Sequence, residues 1–146
     1  MRASFQSVLQ SVLRSVLGGA TVCVFAAAPW VAQAQGAMPA MKGQGAGQYV
    51  CGGIGSDEST AMRAAMKDHP LSLLFARADG AYLADVAVTI KEAGGATAMA
   101  MRASGPVCLI DLPAGRYTVE AVTEGGAAKT QAVTLGGGPK SADFRF

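Results

Sequence analysis

The sequence predicts an all-β protein, an antiparallel β-sandwich of about seven strands that carries one short N-terminal helix. Two observations predict this fold class. From Leu71 onward, apolar and polar residues alternate with a period of two, as in strands with one buried face. Turn-forming residues interrupt the alternation roughly every 8–12 residues, which leaves no room for helical crossovers between parallel strands.

The predicted strands follow one another between short turns. They cover residues 71–76, 82–92, 97–101, 107–110, 116–122, 129–135 and 143–146. Asp79-Gly80 is a strong signal for a tight turn after the first strand. Short strands in which apolar and polar residues alternate favour two sheets packed face to face, each with one buried face.

One helix precedes the strands, over residues 56–69. Ser56 is a favourable N-cap, and Asp57 and Glu58 place negative charge in the first turn, where the helix dipole favours it. Pro70 ends the helix because proline lacks the backbone N–H. Four apolar residues form a stripe that should pack against the sandwich: Ala61, Met62, Ala65 and Met66.

The first 34 residues have the pattern of a secretory signal peptide. They contain no acidic residue, and an apolar stretch over residues 16–28 follows their only charged residues, Arg2 and Arg14. Ala32-Gln33-Ala34 supplies an A-x-A cleavage pattern. Because the apolar run is shorter than the ~20 residues of a transmembrane helix, we predict cleavage after Ala34. The mature protein is then periplasmic or secreted and has no transmembrane segment.

Cleavage also removes the net charge. Loss of Arg2 and Arg14 leaves ten basic and ten acidic residues, out of twelve and ten in the full chain. A neutral mature chain has no long-range field that would attract DNA or anionic lipid. We therefore expect no nucleic-acid partner.

Residues 35–55 are predicted to be a glycine-rich linker, because ordering glycine costs the most backbone entropy. Two cysteines remain after cleavage, Cys51 in this segment and Cys108 in the predicted sandwich. An even number in an exported protein favours a disulfide, and the alternative is two separate buried thiols. A bond would attach the linker to the domain and contribute about 4 kcal/mol in the chain-entropy model.

One part of the sequence resembles a known family. The run Leu112-Pro113-Ala114-Gly115-Arg116-Tyr117-Thr118-Val119, with the strand Val86-Ala87-Val88-Thr89-Ile90, resembles carboxypeptidase regulatory-like domains. The resemblance covers residues 71–146 and implies a transthyretin-like sandwich, related to Cna-B domains, over residues 56–146. It implies an accessory, binding or scaffolding role without peptidase activity, which belongs to a separate catalytic domain. Pro113 and Gly115 would shape a turn, and Tyr117 and Val119 would face the core.

The sequence offers no catalytic motif. His69 is the only histidine, and neither a GxSxG nor an HExxH pattern occurs. We therefore predict no enzyme activity, no catalytic residues and no cofactor. The leading hypothesis is an accessory or binding module of the cell envelope that recognises a protein or a glycan. It would bind through edge strands or through the loops around Asp79, Ser104 and Gly125.

The alternative function is Cu(I) binding, because soft thioethers suit this ion. Met62, Met66 and His69 have the spacing of one helical face and are the candidate metal ligands. Two further methionine pairs occur: Met38 with Met41, and Met99 with Met101. The competing interpretation is that the helical and strand methionines fill apolar gaps and that His69 only closes the helix.

Overall fold

A computed structural model of the chain describes residues 38–146. These residues form two β-sheets packed face to face, with one helix on the outer face of the first sheet. The all-β sandwich is therefore confirmed. The signal-peptide prediction for residues 1–34 lies outside the described residues.

Nine strands and one α-helix follow one another within residues 38–146. Their bounds are β1 Lys42–Gln44, β2 Gly47–Gly52, α1 Ser56–Ala65, β3 Leu71–Ala76, β4 Val86–Glu92, β5 Thr97–Ala103, β6 Val107–Asp111, β7 Gly115–Val122, β8 Ala128–Leu135 and β9 Lys140–Arg145. A short 3₁₀ turn, Met66–Asp68, follows α1. The first sheet has the order β1-β2-β6-β3-β9, and the second has the order β5-β4-β7-β8.

The linker prediction for residues 35–55 is wrong where this segment forms β1 and β2. β2 is buried on both faces, because Tyr49 packs on the core between the sheets and Val50 packs under the helix. Gly52 passes so close to Glu58 and Met62 that a Cβ would collide with both side chains. Glycine here permits close packing, and its frequency alone does not distinguish this use from flexibility. The two additional strands raise the predicted seven to nine.

The predicted antiparallel arrangement is wrong for one pair, since β3 and β9 are parallel. The other strand pairs of the two sheets are antiparallel. We expected antiparallel pairs throughout because parallel neighbouring strands usually need a helical crossover connection. In this fold, strands of the second sheet lie between β3 and β9 in the chain and supply the crossover.

The helix is shorter than predicted and begins at a different cap. Gly55 is the N-cap rather than Ser56, and its carbonyl accepts the N–H of Ser59 at 2.8 Å. The α-helix ends at Ala65, and the 3₁₀ turn fills most of the remaining predicted length. His69 is extended, with φ −118° and ψ 142°, as is usual for a residue that precedes proline.

Two apolar clusters hold these layers together. The larger lies between the sheets, where the rings of Phe75 and Phe144 stack with centroids 5.6 Å apart. The smaller lies between α1 and the first sheet and centres on Met62, Val107 and Leu109. Each fully buried side chain of this size contributes about 1.5–3 kcal/mol relative to exposure.

The predicted disulfide is present. Cys51 of β2 and Cys108 of β6 lie directly opposite each other in the antiparallel pair and are bonded. The bond joins the N-terminal hairpin to the centre of the first sheet. Cys108 is fully buried, and Cys51 is 7% exposed.

Replacing both cysteines by alanine should lower the free energy of unfolding by about 2–4 kcal/mol, because the unfolded chain loses a cross-link. Urea denaturation followed by circular dichroism measures this. The wild-type mature protein should show no free thiol when denatured without reductant. Two free thiols, or equal stability of the double variant, would contradict the disulfide's role.

Tyr117 forms a tyrosine corner at the start of β7. Its hydroxyl donates to the backbone carbonyl of Pro113 at 2.8 Å, and its ring is buried in the core. This contact is typical of Greek-key sandwiches. Burial, and to a smaller extent the charge of Glu92, raise the pKa of Tyr117 above its ordinary value of 10.0. The folded protein therefore favours the neutral phenol.

Tyr117→Phe should lower the free energy of unfolding by about 1 kcal/mol at neutral pH through loss of this hydrogen bond. In the wild type, Tyr117 contributes its full stability below pH 10.0, the ordinary pKa. That stability is lost as the pH rises toward the higher folded pKa. Urea titrations from pH 8 to about 11 should show a shallower alkaline decline in Tyr117→Phe. An unchanged slope in Tyr117→Phe would refute the assignment.

Candidate binding surface

The structure places two of the three candidate copper ligands beneath α1 and the third beyond the end of that helix. Met62 and Met66 pack in the cluster between α1 and the first sheet, and Met62 is fully buried. The α-helix ends at Ala65, so its spacing does not extend to His69. Copper binding through Met62, Met66 and His69 stays a prediction, and this geometry gives it no support.

The remaining described methionines also have packing roles or are exposed. Met99 and Met101 are buried between the sheets, and Met41 packs on the cluster beneath α1. Met38 is 39% exposed. Within residues 38–146, no group of three or more His, Cys, Asp or Glu side chains is arranged to hold a metal ion.

His69 instead binds Asp111. Its Nδ1 lies 2.7 Å from Asp111 Oδ1, and the imidazole is 15% exposed. The contact joins the end of the 3₁₀ turn to the end of β6. His69 also borders a pocket of about 270 Å³, lined by Lys67, Asp68, Pro70, Gly136, Gly138 and Pro139. The His69–Asp111 contact thus connects the segment before β3 to the end of β6.

Hydrogen bonds connect the edges of the two sheets. The N–H of Ala46, in the β1–β2 turn, donates to the carbonyl of Ala98 in β5 at 2.9 Å. On the opposite side, the Gln131 side chain of β8 donates to the carbonyl of Asp143 in β9. β1 is only three residues long. Recognition through the longer edge strands β5, β8 and β9 stays a prediction.

An exposed apolar surface lies where two loops meet. We define the Ile54–Tyr82 patch by the residues that line a pocket of about 220 Å³: Gly53, Ile54, Tyr82, Leu83, Ala84 and Pro106. Ile54 is 75% exposed and Tyr82 is 57% exposed. Among the described residues, only Met38 is a further exposed large hydrophobic side chain. Because these two exposed side chains line the same pocket, we take the patch as the candidate interaction site.

The loop that carries Tyr82 is held by its own backbone. The N–H of Arg77 donates to Ala81 at 2.7 Å, and the Asp79 carboxylate accepts the N–H of Ala81 at 3.0 Å. Tyr82 forms an isolated bridge with Ala76, and the N–H of Leu83 donates to Phe75 at 3.1 Å. The side chain of Tyr82 therefore projects from an ordered loop.

The segment that carries Ile54 is fixed equally well. Gly53 has φ 90°, which favours glycine, and its N–H donates to Glu58 Oε1 at 2.7 Å. The Ser104 hydroxyl donates to the Cys51 carbonyl at 3.1 Å. These contacts, together with the disulfide, attach the exposed Ile54 side chain to a rigid support.

Arg63 of α1 completes the surface. Its guanidinium carbon lies 5.1 Å from the centroid of the Tyr82 ring, in cation–π geometry. An Nη group donates to the Tyr82 hydroxyl, and Nε donates to Ser59 Oγ at 3.4 Å. Arginine and tyrosine are the side chains most enriched at energetic centres of protein interfaces.

Sequence reasoning identified part of this surface. The loops at Asp79 and Ser104 were predicted as binding places, and both contribute neighbours of the patch. Gly125 does not line it. The sequence pattern places Ile54 in the linker and Tyr82 in a strand, so it does not predict that they line one pocket. The signal that could have found them is a large apolar or aromatic side chain within a loop segment rich in glycine and alanine.

Comparisons of the chain with protein-family models, with curated proteins and with solved structures found no match. No helix within residues 38–146 is long and apolar enough to cross a membrane.

Asp111→Ala should lower the free energy of unfolding by about 1–3 kcal/mol, because it leaves the mostly buried His69 Nδ1 without its partner. Asp111→Asn retains an acceptor and should cost less. Asp68→Ala, which removes only the exposed contact with Lys67, is the control and should have little effect. Urea denaturation compares the three, and equal effects would exclude a structural role for the pair.

Proposed function

We propose that the chain is an exported, non-enzymatic binding module that recognises a protein partner through the Ile54–Tyr82 patch. The observation that carries the proposal is the placement of two highly exposed hydrophobic side chains on one pocket, with a rigid loop beneath each. Burial of such side chains against a partner releases ordered water at little entropic cost to the protein.

The surroundings of Tyr82 bear on the choice between a protein and a glycan. A sugar ring binds an aromatic side chain by lying on an open ring face, and the Arg63 guanidinium covers one of the two faces of the Tyr82 ring. The pocket volume of about 220 Å³ is below the ~300–1,000 Å³ of pockets for drug-sized ligands. The pocket therefore has room for a small group only.

Two observations support export. The Cys51–Cys108 bond is of the kind that persists in oxidising compartments, and the first 34 residues have the signal-peptide pattern. The resemblance of residues 112–119 and 86–90 to carboxypeptidase regulatory-like domains favours the transthyretin-like type of sandwich and, with it, an accessory role in the cell envelope.

Site-specific photo-crosslinking tests the proposal in cells that export the chain. A photoreactive amino acid at Ile54 or Tyr82 should give a discrete protein adduct, whereas one at Thr130, an exposed residue of β8, should give none. Tyr82→Ala combined with the probe at Ile54 should reduce the adduct at least tenfold, as expected for loss of ~2 kcal/mol at an interface centre.

Equal adducts at all three positions, or none at Ile54 and Tyr82, would refute the proposed surface. Binding of the wild type to a glycan array that is lost in Tyr82→Ala would replace the protein partner by a carbohydrate. Circular dichroism of each purified variant confirms that the fold is retained.

A further inference from the structure

We infer that the partner presents a side-chain carboxylate beside an apolar side chain, and that Arg63 is the residue that selects it. This inference rests on the proposed function, since it specifies what the Ile54–Tyr82 patch binds. The apolar side chain would enter the pocket, and the carboxylate would pair with the guanidinium above Tyr82.

The charges around the patch lead to this conclusion. Glu58 accepts the N–H of Gly53, Asp79 pairs with Arg77 at 3.2 Å, and Asp85 pairs with Arg102 at 3.6 Å. None of the ion pairs found within residues 38–146 includes Arg63. The remaining carboxylate near the start of α1, Asp57, lies in its first turn, where it offsets the helix dipole.

The guanidinium also retains unused hydrogen-bond donors. Arginine has five N–H donors, and Arg63 directs one to Ser59 and one to the Tyr82 hydroxyl. The tyrosine contact fixes the guanidinium over the ring, so less conformational entropy is lost when a ligand binds. A carboxylate accepts two N–H groups from such a fork in parallel, which makes it the matching acceptor.

The guanidinium is the charged donor beside the pocket. Four backbone N–H groups next to it, those of Gly53, Ala81, Leu83 and Asp85, already donate within the fold. An aspartate or glutamate side chain within an acidic, apolar segment therefore fits the guanidinium as its ligand.

Two blocked tetrapeptides test the inference on the mature protein. The probes are acetyl-Glu-Leu-Glu-Leu-amide and its glutamine counterpart, acetyl-Gln-Leu-Gln-Leu-amide. Binding is followed by the amide NMR shifts of Gly53, Ile54, Leu83 and Ala84. The glutamate peptide should bind up to about tenfold more tightly, and added salt should reduce the ratio.

In Arg63→Gln the two peptides should bind with equal affinity. In Arg63→Lys part of the preference for the glutamate peptide should remain. Arg116→Gln is the matched control, since Arg116 is exposed and also lies outside the ion pairs found among residues 38–146. It should leave the ratio unchanged. Equal affinity of the two peptides, an unchanged ratio in Arg63→Gln, or no shift with either peptide would each overturn the inference.

Crosslinking in cells distinguishes failure of this inference from failure of the proposed function. If the adduct at Ile54 persists in Arg63→Gln at the wild-type level, the patch binds a protein without using the carboxylate, and only the inference fails. If the adduct is lost in Arg63→Gln and partly recovered in Arg63→Lys, both stand.

Discussion

The pairing of β2 with β6 is the contact on which most of the described structure depends. It places Cys51 opposite Cys108, and it presents one face of β2 to the sandwich core and the other to α1. Without this pair, the helix would lose much of the surface on which Met62 packs. The chain between β2 and α1 carries Ile54, so the same pairing also fixes one half of the candidate binding surface.

The second half of the surface depends on a different kind of constraint. The loop between β3 and β4 is ordered by hydrogen bonds between residues close in sequence, which involve Arg77, Asp79 and Leu83. Arg63 then connects the two halves, because it reaches from α1 to the Tyr82 ring. Three separately ordered segments thus meet at one place, and the exposed apolar side chains there are held in position before any partner arrives. Such preorganisation reduces the entropic cost of association.

The sequence pattern predicted the strands and turns that depend on neighbouring residues alone. Alternation of apolar residues located β3 to β9, and the turn before Tyr117 was recognised from Pro113 and Gly115. β1 and β2 were missed because Gly52 and its neighbours are selected for close approach to other residues, and composition does not reveal which residues approach. The parallel pair of β3 and β9 was missed because it depends on the path of the chain between two sheets. Ile54 and Tyr82 are distant in sequence, and only the fold brings them together.

The parallel pairing of β3 with β9 bears on when this domain can form. β3 begins at Leu71, but its neighbour on one side spans Lys140–Arg145. A ribosome therefore releases nearly all of the described chain before the first sheet can gain its last strand. Contacts so far apart in sequence form slowly, so the first sheet closes late in the folding of this domain.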